Sequence, residues 1–209
     1  MTKVQIIDGN FTITDPSWPR FNITRPGDVL ISDDFTKSGW LGGQNTDSAL
    51  GGTDTEWINA RYVSEAWQVT GGQAVWAKTG TVLLATPQPD YDLEVKIDAL
   101  PTSASDVVNI QARRTESTTH YIAAVVKGNG DLTLKTYDGS SIKESSPVSQ
   151  LVKAGDLVAV RVIGDSIAIL LNGTSVISEQ MASWESDRIG LNASAAAGAK
   201  LGHIKIIAR

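Results

Sequence analysis

Residues 155–178 constrain the chain most, because GDLVAVRVIGDSIAILLNGTSVIS is three apolar runs cut by Gly164-Asp165-Ser166 and by Asn172-Gly173. Each run is shorter than an ordinary helix and rich in Val, Ile and Leu. Asn-Gly supplies the two positive-φ residues that a type I′ turn demands. The segment predicts three consecutive antiparallel strands joined by tight turns.

The same pattern runs through the rest of the chain. In Tyr91–Ala99 (YDLEVKIDA), Leu93, Val95 and Ile97 alternate with Asp92, Glu94, Lys96 and Asp98, which predicts a strand with one face on the core and one in water. Val107–Arg114 and His120–Lys127, separated by the polar TESTT, predict a hairpin with a longer loop, Val108, Ile110 and Ala112 pointing one way. Gly128-Asn129-Gly130 then leads to Asp131–Tyr137, where Leu132 and Leu134 face inward. A final pair of strands, Arg188–Ala193 and Lys200–Ala208, flanks the small-residue run SAAAGA, whereas residues 41–54 (LGGQNTDSALGGTD) read as one long loop. No stretch holds a helical period, and short strands at this spacing mean an all-β sandwich or barrel.

Residues 1–28 differ in character. They combine Pro16, Pro19 and Pro26 with Ile6, Ile7, Phe11, Ile13, Trp18 and Phe21. Prolines exclude a long central strand, while the apolar side chains need cover. Two readings stand: an arm that anchors the chain to a partner or a neighbouring copy, with Val4–Ile7 and Phe11–Thr14 adding strands to a sheet edge, or an arm folded back over an open edge of its own sandwich. The expected organisation is an N-terminal arm over 1–28 and one sandwich domain over 29–209.

Length suits that division, since 209 residues can bury one core without staples. Net charge is -5 and no basic run exceeds Arg113-Arg114, so nucleic acid and anionic membrane are not expected partners. The chain has no cysteine, which removes disulfides, thiolate metal sites and thiol nucleophiles. Its first residues lack the cationic start and apolar core of a secretory signal, and no run is long enough for a membrane-spanning helix.

Three phrases carry a family likeness. Ser32-Asp33-Asp34-Phe35 opens the domain, AWQVTGGQA (66–74) follows the long loop, and Lys153–Ile177 closes with its GD and NG turns. Together they resemble laminin-G-like and concanavalin-like jelly-roll domains over roughly Val29–Arg209. The resemblance implies an antiparallel β-sandwich whose closing strand pairs with its opening one. Such sandwiches host lectins, glycosidases, adhesion modules and virion proteins. A stand-alone form with a short arm resembles minor tail or head-associated proteins of tailed bacteriophages infecting actinobacteria. That implies a non-enzymatic virion structural protein of tail or capsid, assembled in the host cytoplasm and released by lysis. Its partners would be other virion proteins or copies of itself through the arm, and host cell-surface glycan. The alternative on the same fold is a bacterial carbohydrate-binding, lectin-like module.

Catalysis finds little footing in the sequence. Glucanases of this fold carry E-x-D-x-x-E or E-x-D-x-E, to which the nearest approach is Glu94 with Asp98 on a solvent-facing side of a strand. His120 and His203 have no nucleophile motif beside them. No cofactor is expected beyond the structural calcium that the laminin-G resemblance implies, with Asp33 and Asp34 as its ligands and Asp47 and Asp54 within the same region; otherwise Asp33-Asp34 simply opens the first strand. Of six tryptophans, Trp67 and Trp76 fit the core. Trp40 and Trp57 flank the Gly-rich loop and Trp184 lies in MASWESD, so with Gln44, Asn45 and Asp47 they form a candidate glycan site, or else they cap the ends of the sandwich.

Overall fold

The structure is a computed structural model that describes residues 24–49, 55–60, 66–86, 88–115, 120–180, 186, 188–194 and 196–209, together with the strand pairing of residues 4–7 and 10–13. Among the described residues there is no helix, and the strands form two large antiparallel sheets and one separate hairpin. The hairpin is β1 (Val4–Ile7) with β2 (Asn10–Ile13), Ile6 opposite Phe11 and Ile7 opposite Asn10. Two segments read above as independent edge-seekers are therefore partners of each other. The sequence signal was Asp8-Gly9, a dipeptide favoured in two-residue turns. Strand pairing ties the hairpin to neither sandwich sheet; Trp18 and Phe21 lie outside the described residues.

One sheet holds ten strands. Its main path runs β17 (Thr174–Gln180), β16 (Ser166–Leu171), β15 (Leu157–Ile163), β10 (Tyr91–Ala99), β19 (Lys200–Ala208), β8 (Gln73–Trp76), β7 (Trp67–Thr70) and β4 (Gly39–Trp40). Beyond β8, the far edge of β19 also carries β3 (Val29–Asp33), which pairs β5 (Ser48–Ala49). The closing strand thus pairs with the opening one. The second sheet runs β14 (Ile142–Glu144), β13 (Leu132–Tyr137), β12 (Tyr121–Lys127), β11 (Val107–Ala112), β18 (Arg188–Ser194), β9 (Gly80–Ala85) and β6 (Ile58–Asn59). Its seven strands cover the first sheet, which makes the molecule an antiparallel jelly-roll sandwich.

Two sequence expectations need correction. The final pair, β18 and β19, does not pair: the small-residue run carries the chain from one sheet to the other. Residues 41–54 are not one featureless loop, because β5 and an Asn45–Glu56 bridge pin parts of it. By contrast the β15–β16–β17 meander forms as its turns require, with Asn172 and Gly173 at φ 51° and 80°.

Period-two alternation decides what is core. Val82, Leu84, Val108, Ile110, Ile122, Ala124, Leu132, Ile189 and Leu191 of one sheet meet Leu93, Val95, Val158, Val160, Ile169, Ile204 and Ile206 of the other. Each such side chain contributes roughly 1.5–3 kcal/mol of hydrophobic stabilisation before ordering entropy is subtracted. Trp67 crosses between the layers and its Nε1–H donates to the Leu191 carbonyl at 3.3 Å. The buried Tyr91 hydroxyl accepts the Arg113 amide at 3.0 Å, and burial pushes that phenol up to about 12.

Candidate functional site

The tryptophans of the expected loop site have different environments. Trp57 is wholly buried, with Nε1–H donating to Asp33 Oδ2 at 2.7 Å. Backbone bonds from Gly43 to the Trp57 carbonyl (2.6 Å) and from Trp57 to the Gln44 carbonyl (2.8 Å) hold the Gly-rich loop against it. No ring face is left for a ligand, and the end-capping reading is the correct one for Trp57. Trp40 is 41% exposed on β4, at an edge of the ten-stranded sheet. Trp184 lies outside the described residues.

The acidic residues nearby act as braces. Asp33 accepts from the Phe35 amide at 2.8 Å as well as from Trp57. Asp47 accepts the amides of Asp34 (2.9 Å) and Thr36 (3.3 Å) and the Thr36 hydroxyl. Lys37 Nζ donates to the carbonyls of Asn45 (2.9 Å) and Thr46 (3.4 Å), so an ammonium already fills the cationic place in this loop. Burial pushes the Asp33 carboxyl up, against the pull of Trp57 and Phe35. Burial acts the same way on Asp47, but the donors of Thr36 and Asp34 outweigh it and hold that group low. Carboxylates faced by N–H and O–H donors do not present the open oxygen edge a calcium ion needs, and Asp34 stands exposed. Among the described residues no group of three or more His, Cys, Asp or Glu could hold a metal ion.

A second candidate surface is the outer face of the seven-stranded sheet. Strands β11 and β12 are buried on both faces almost throughout, unlike the half-exposed strands the alternation pattern predicts. Register aligns the outward residues in rows. One row runs Thr133, Val125, Asn109, Asn192 and Thr81. In it Asn109 Nδ2 donates to Asn192 Oδ1 at 2.8 Å, and Asn192 Nδ2 donates to Thr81 Oγ1 at 2.8 Å and to the Gly80 carbonyl at 3.2 Å. At the row's outer end Thr133 Oγ1 donates to Glu144 Oε1 at 2.9 Å.

The next row runs Lys135, Ala123, Gln111, Gly190 and Leu83. Gly190 faces Gln111 there, whose Oε1 lies 2.8 Å from where a Cβ would stand. Gln111 is only 3% exposed and its Oε1 has no hydrogen-bond donor.

Beyond it the strand kinks. Arg113 takes φ 44°, the left-handed region, which breaks the alternation. Arg113 turns toward Asp90, 3.9 Å away, and Arg114 lies over the Tyr121 ring, 5.4 Å from its centroid. Tyr121 in turn sits 5.7 Å from Tyr137 at 48°. Sequence reading placed VVNIQARR on a strand but missed this set; the legible signal was Asn109 and Gln111 at outward positions of an otherwise apolar strand.

The outer face of the other sheet is of another kind. Asp92, nearly buried, accepts Arg161 Nε and Nη2 at 2.8 Å each and also Arg209 Nη2. Lys96 pairs Asp98 at 2.9 Å, and His203 lies 3.5 Å from Glu94. An open hollow of about 440 Å³ adjoins Arg161, floored by Ile167 and Ala168 and rimmed by Ser166, Ser178 and Glu179.

No family model matches this chain, and no curated protein matches it by sequence. Solved structures match by fold. The carbohydrate binding module CBM66 from Bacillus subtilis superposes with a TM-score of 0.56 at 13% identity, over 73% of this chain and 95% of that one. Bacillus licheniformis beta-glucanase gives 0.62 at 12% identity, over 87% and 99%. SCLam, a non-specific endo-beta-1,3(4)-glucanase from family GH16, gives 0.58 at 11% identity, over 88% and 96%. At such identities the likeness is one of architecture, and the chain shares with these proteins the concanavalin-like jelly-roll sandwich.

Proposed function

We propose that this chain is a non-catalytic carbohydrate-binding sandwich whose ligand lies on the outer face of the seven-stranded sheet. The observation that carries it is the cross-strand ladder Asn109–Asn192–Thr81, on the same face as the Tyr121–Tyr137 pair two residue rows away. Sugar hydroxyls both donate and accept, which suits amides and hydroxyls, and the apolar side of a pyranose suits a tyrosine ring. Support also comes from the neighbours, which by their names bind or cleave carbohydrate. The virion role implied by the resemblance draws no such support, so the lectin-like alternative is the one carried forward.

One feature favours binding over cleavage. Strands β9, β18, β11, β12 and β13 contain no Asp or Glu at any position. Retaining and inverting glycosidases alike need two carboxyl groups flanking the scissile bond. A glycan array probed with the full chain tests the reading, with Asn192→Ala and Tyr121→Ala as site variants checked for folding by thermal melting. Each variant is expected to weaken the captured glycan by about tenfold, the loss of one buried hydrogen-bonding or stacking contact. Unchanged binding by both variants, or reducing-end release from a β-glucan by the wild type, would overturn it.

A further inference from the structure

We infer that the sugar recognised on this face is anionic, bearing a carboxylate or a sulfate ester, and that Arg114 is the residue that reads its charge. The inference rests on the binding face proposed above and names the class of its ligand.

Arg114 is 4% exposed, and among the described residues no carboxylate lies within ion-pair distance of it. Its guanidinium touches the Tyr121 ring, and its buried Nε–H has no acceptor. A buried cation that rests on a tyrosine ring and leaves its Nε–H without an acceptor is unfavourable by itself, and proteins seldom keep one without a use. Two described acids nearby are committed elsewhere: Asp90 lies toward Arg113 and accepts the Gly164 amide at 2.9 Å, while Glu144 accepts from Thr133 and lies 3.9 Å from Lys127; Glu116, Glu185 and Asp187 lie outside the described residues.

The placement is also built rather than incidental. In a regular strand Arg113 would continue the outward series of Asn109 and Gln111, and Arg114 would enter the core. The positive φ at Arg113 reverses that, bringing Arg114 onto the face beside Tyr121. On the same face Gln111 Oε1, packed over Gly190, lacks a donor. An anionic sugar supplies both missing partners: its oxyanion meets the guanidinium fork, and a ring hydroxyl donates to the Gln111 oxygen. With a net charge of -5 the chain as a whole repels polyanions, so attraction must come from local cations of this face, Arg114 and, across β12, Lys135.

Affinity electrophoresis of the full chain tests this with polygalacturonate against neutral galactan and with dextran sulfate against neutral dextran. Retardation is expected in the acidic member of one pair, which also separates carboxylate from sulfate, and it should weaken as salt rises. Arg114→Gln should reduce that retardation by about tenfold or more, the loss of a charge-assisted hydrogen bond, while Arg114→Lys, which keeps charge without the fork, falls between. Because Arg114 has no partner to leave stranded, Arg114→Gln should melt no lower than the wild type; a merely structural arginine would lower the midpoint without changing the preference for acidic glycan. Retardation by neutral glycans alone, or acidic-glycan binding insensitive to Arg114→Gln, sinks the inference and leaves the binding face standing. Failure to bind any glycan, on the gels and on the array, sinks both.

Discussion

The outer faces of the two sheets handle charge in opposite ways. On the ten-stranded sheet, the charged side chains of β10 lie against polar neighbours: Asp92 meets Arg161 and Arg209, Lys96 meets Asp98, and Glu94 lies 3.5 Å from His203, an ion pair when that imidazole is protonated. On the seven-stranded sheet, Arg114 and Gln111 are more deeply buried than most of those groups, and Arg114 Nε and Gln111 Oε1 have no hydrogen-bond partner. A face whose charges close on themselves is finished as folded. A face that leaves a guanidinium and an amide oxygen open is complementary to something from outside, at some loss of stability.

The contrast can be broken by removing one charge from each face. Asp92→Asn strands two guanidiniums, and since both arginines are partly solvated the loss should sit near the low end for a broken buried pair, about 3 kcal/mol. For a chain of this size that corresponds to a fall of roughly 6–12 °C in the melting midpoint, readable by calorimetry. Arg114→Gln should show no fall. If the two variants melted alike, the distinction between the faces would be lost. The first effect is also pH-dependent: burial raises the Asp92 carboxyl, but Arg161 and Arg209 hold it below its ordinary value, so its contribution is present above about pH 4 and lost as pH falls through the lowered pKa. The gap between wild type and Asp92→Asn should close in acid.

A smaller effect sharpens the comparison at the sandwich end. Trp57→Phe keeps the buried ring but takes the donor from Asp33, which should lower stability by about 1–3 kcal/mol. Burial already raises the Asp33 carboxyl, so its stabilising share is full below the unfolded pKa and lost as pH rises through the folded one. Losing the indole donor raises it further. The variant's deficit in urea titrations should therefore be larger at pH 7 than at pH 4; an equal deficit would mean that Asp33 does not sense the ring.

The smallest effect belongs to the N-terminal hairpin. Since β1 and β2 pair only with each other among the described residues, deleting residues 1–23 should move the melting midpoint by no more than about 2 °C. Loss of the cooperative transition would show instead that the sandwich needs the arm. A truncated chain that stays folded but sediments as a smaller species would support its proposed role as an anchor.

The sequence made the sandwich legible wherever local physics governs. Asn172-Gly173 demanded a tight turn, and Leu93, Val95 and Ile97 demanded a core face; both are present as read. What it did not show depends on long-range placement. Nothing local tells β18 from β19 as members of different sheets, because either could pair with any strand of matching pattern. Trp57 looked available only because its cover, a Gly-rich loop, has no apolar signature of its own. Arg114 was hidden by the alternation rule itself, which assigns it to the core until the positive φ at Arg113 is known.

The position of β19 has a consequence for how the chain matures. Residues 200–208 bridge β10 on one side and both β3 and β8 on the other, so the middle of the larger sheet is completed by a segment made after every strand it joins. While the chain is growing, β10 and β3 each keep an open row of backbone donors and acceptors, the kind of edge along which incomplete chains stick to one another. Closing the gap requires contacts across some 175 residues of sequence, estimated from the β3–β19 register, which places this protein among slow folders. The meander of residues 155–178 is the local unit able to form early, and the yield of intact protein will be set by how long β10 waits beside it for its missing neighbour.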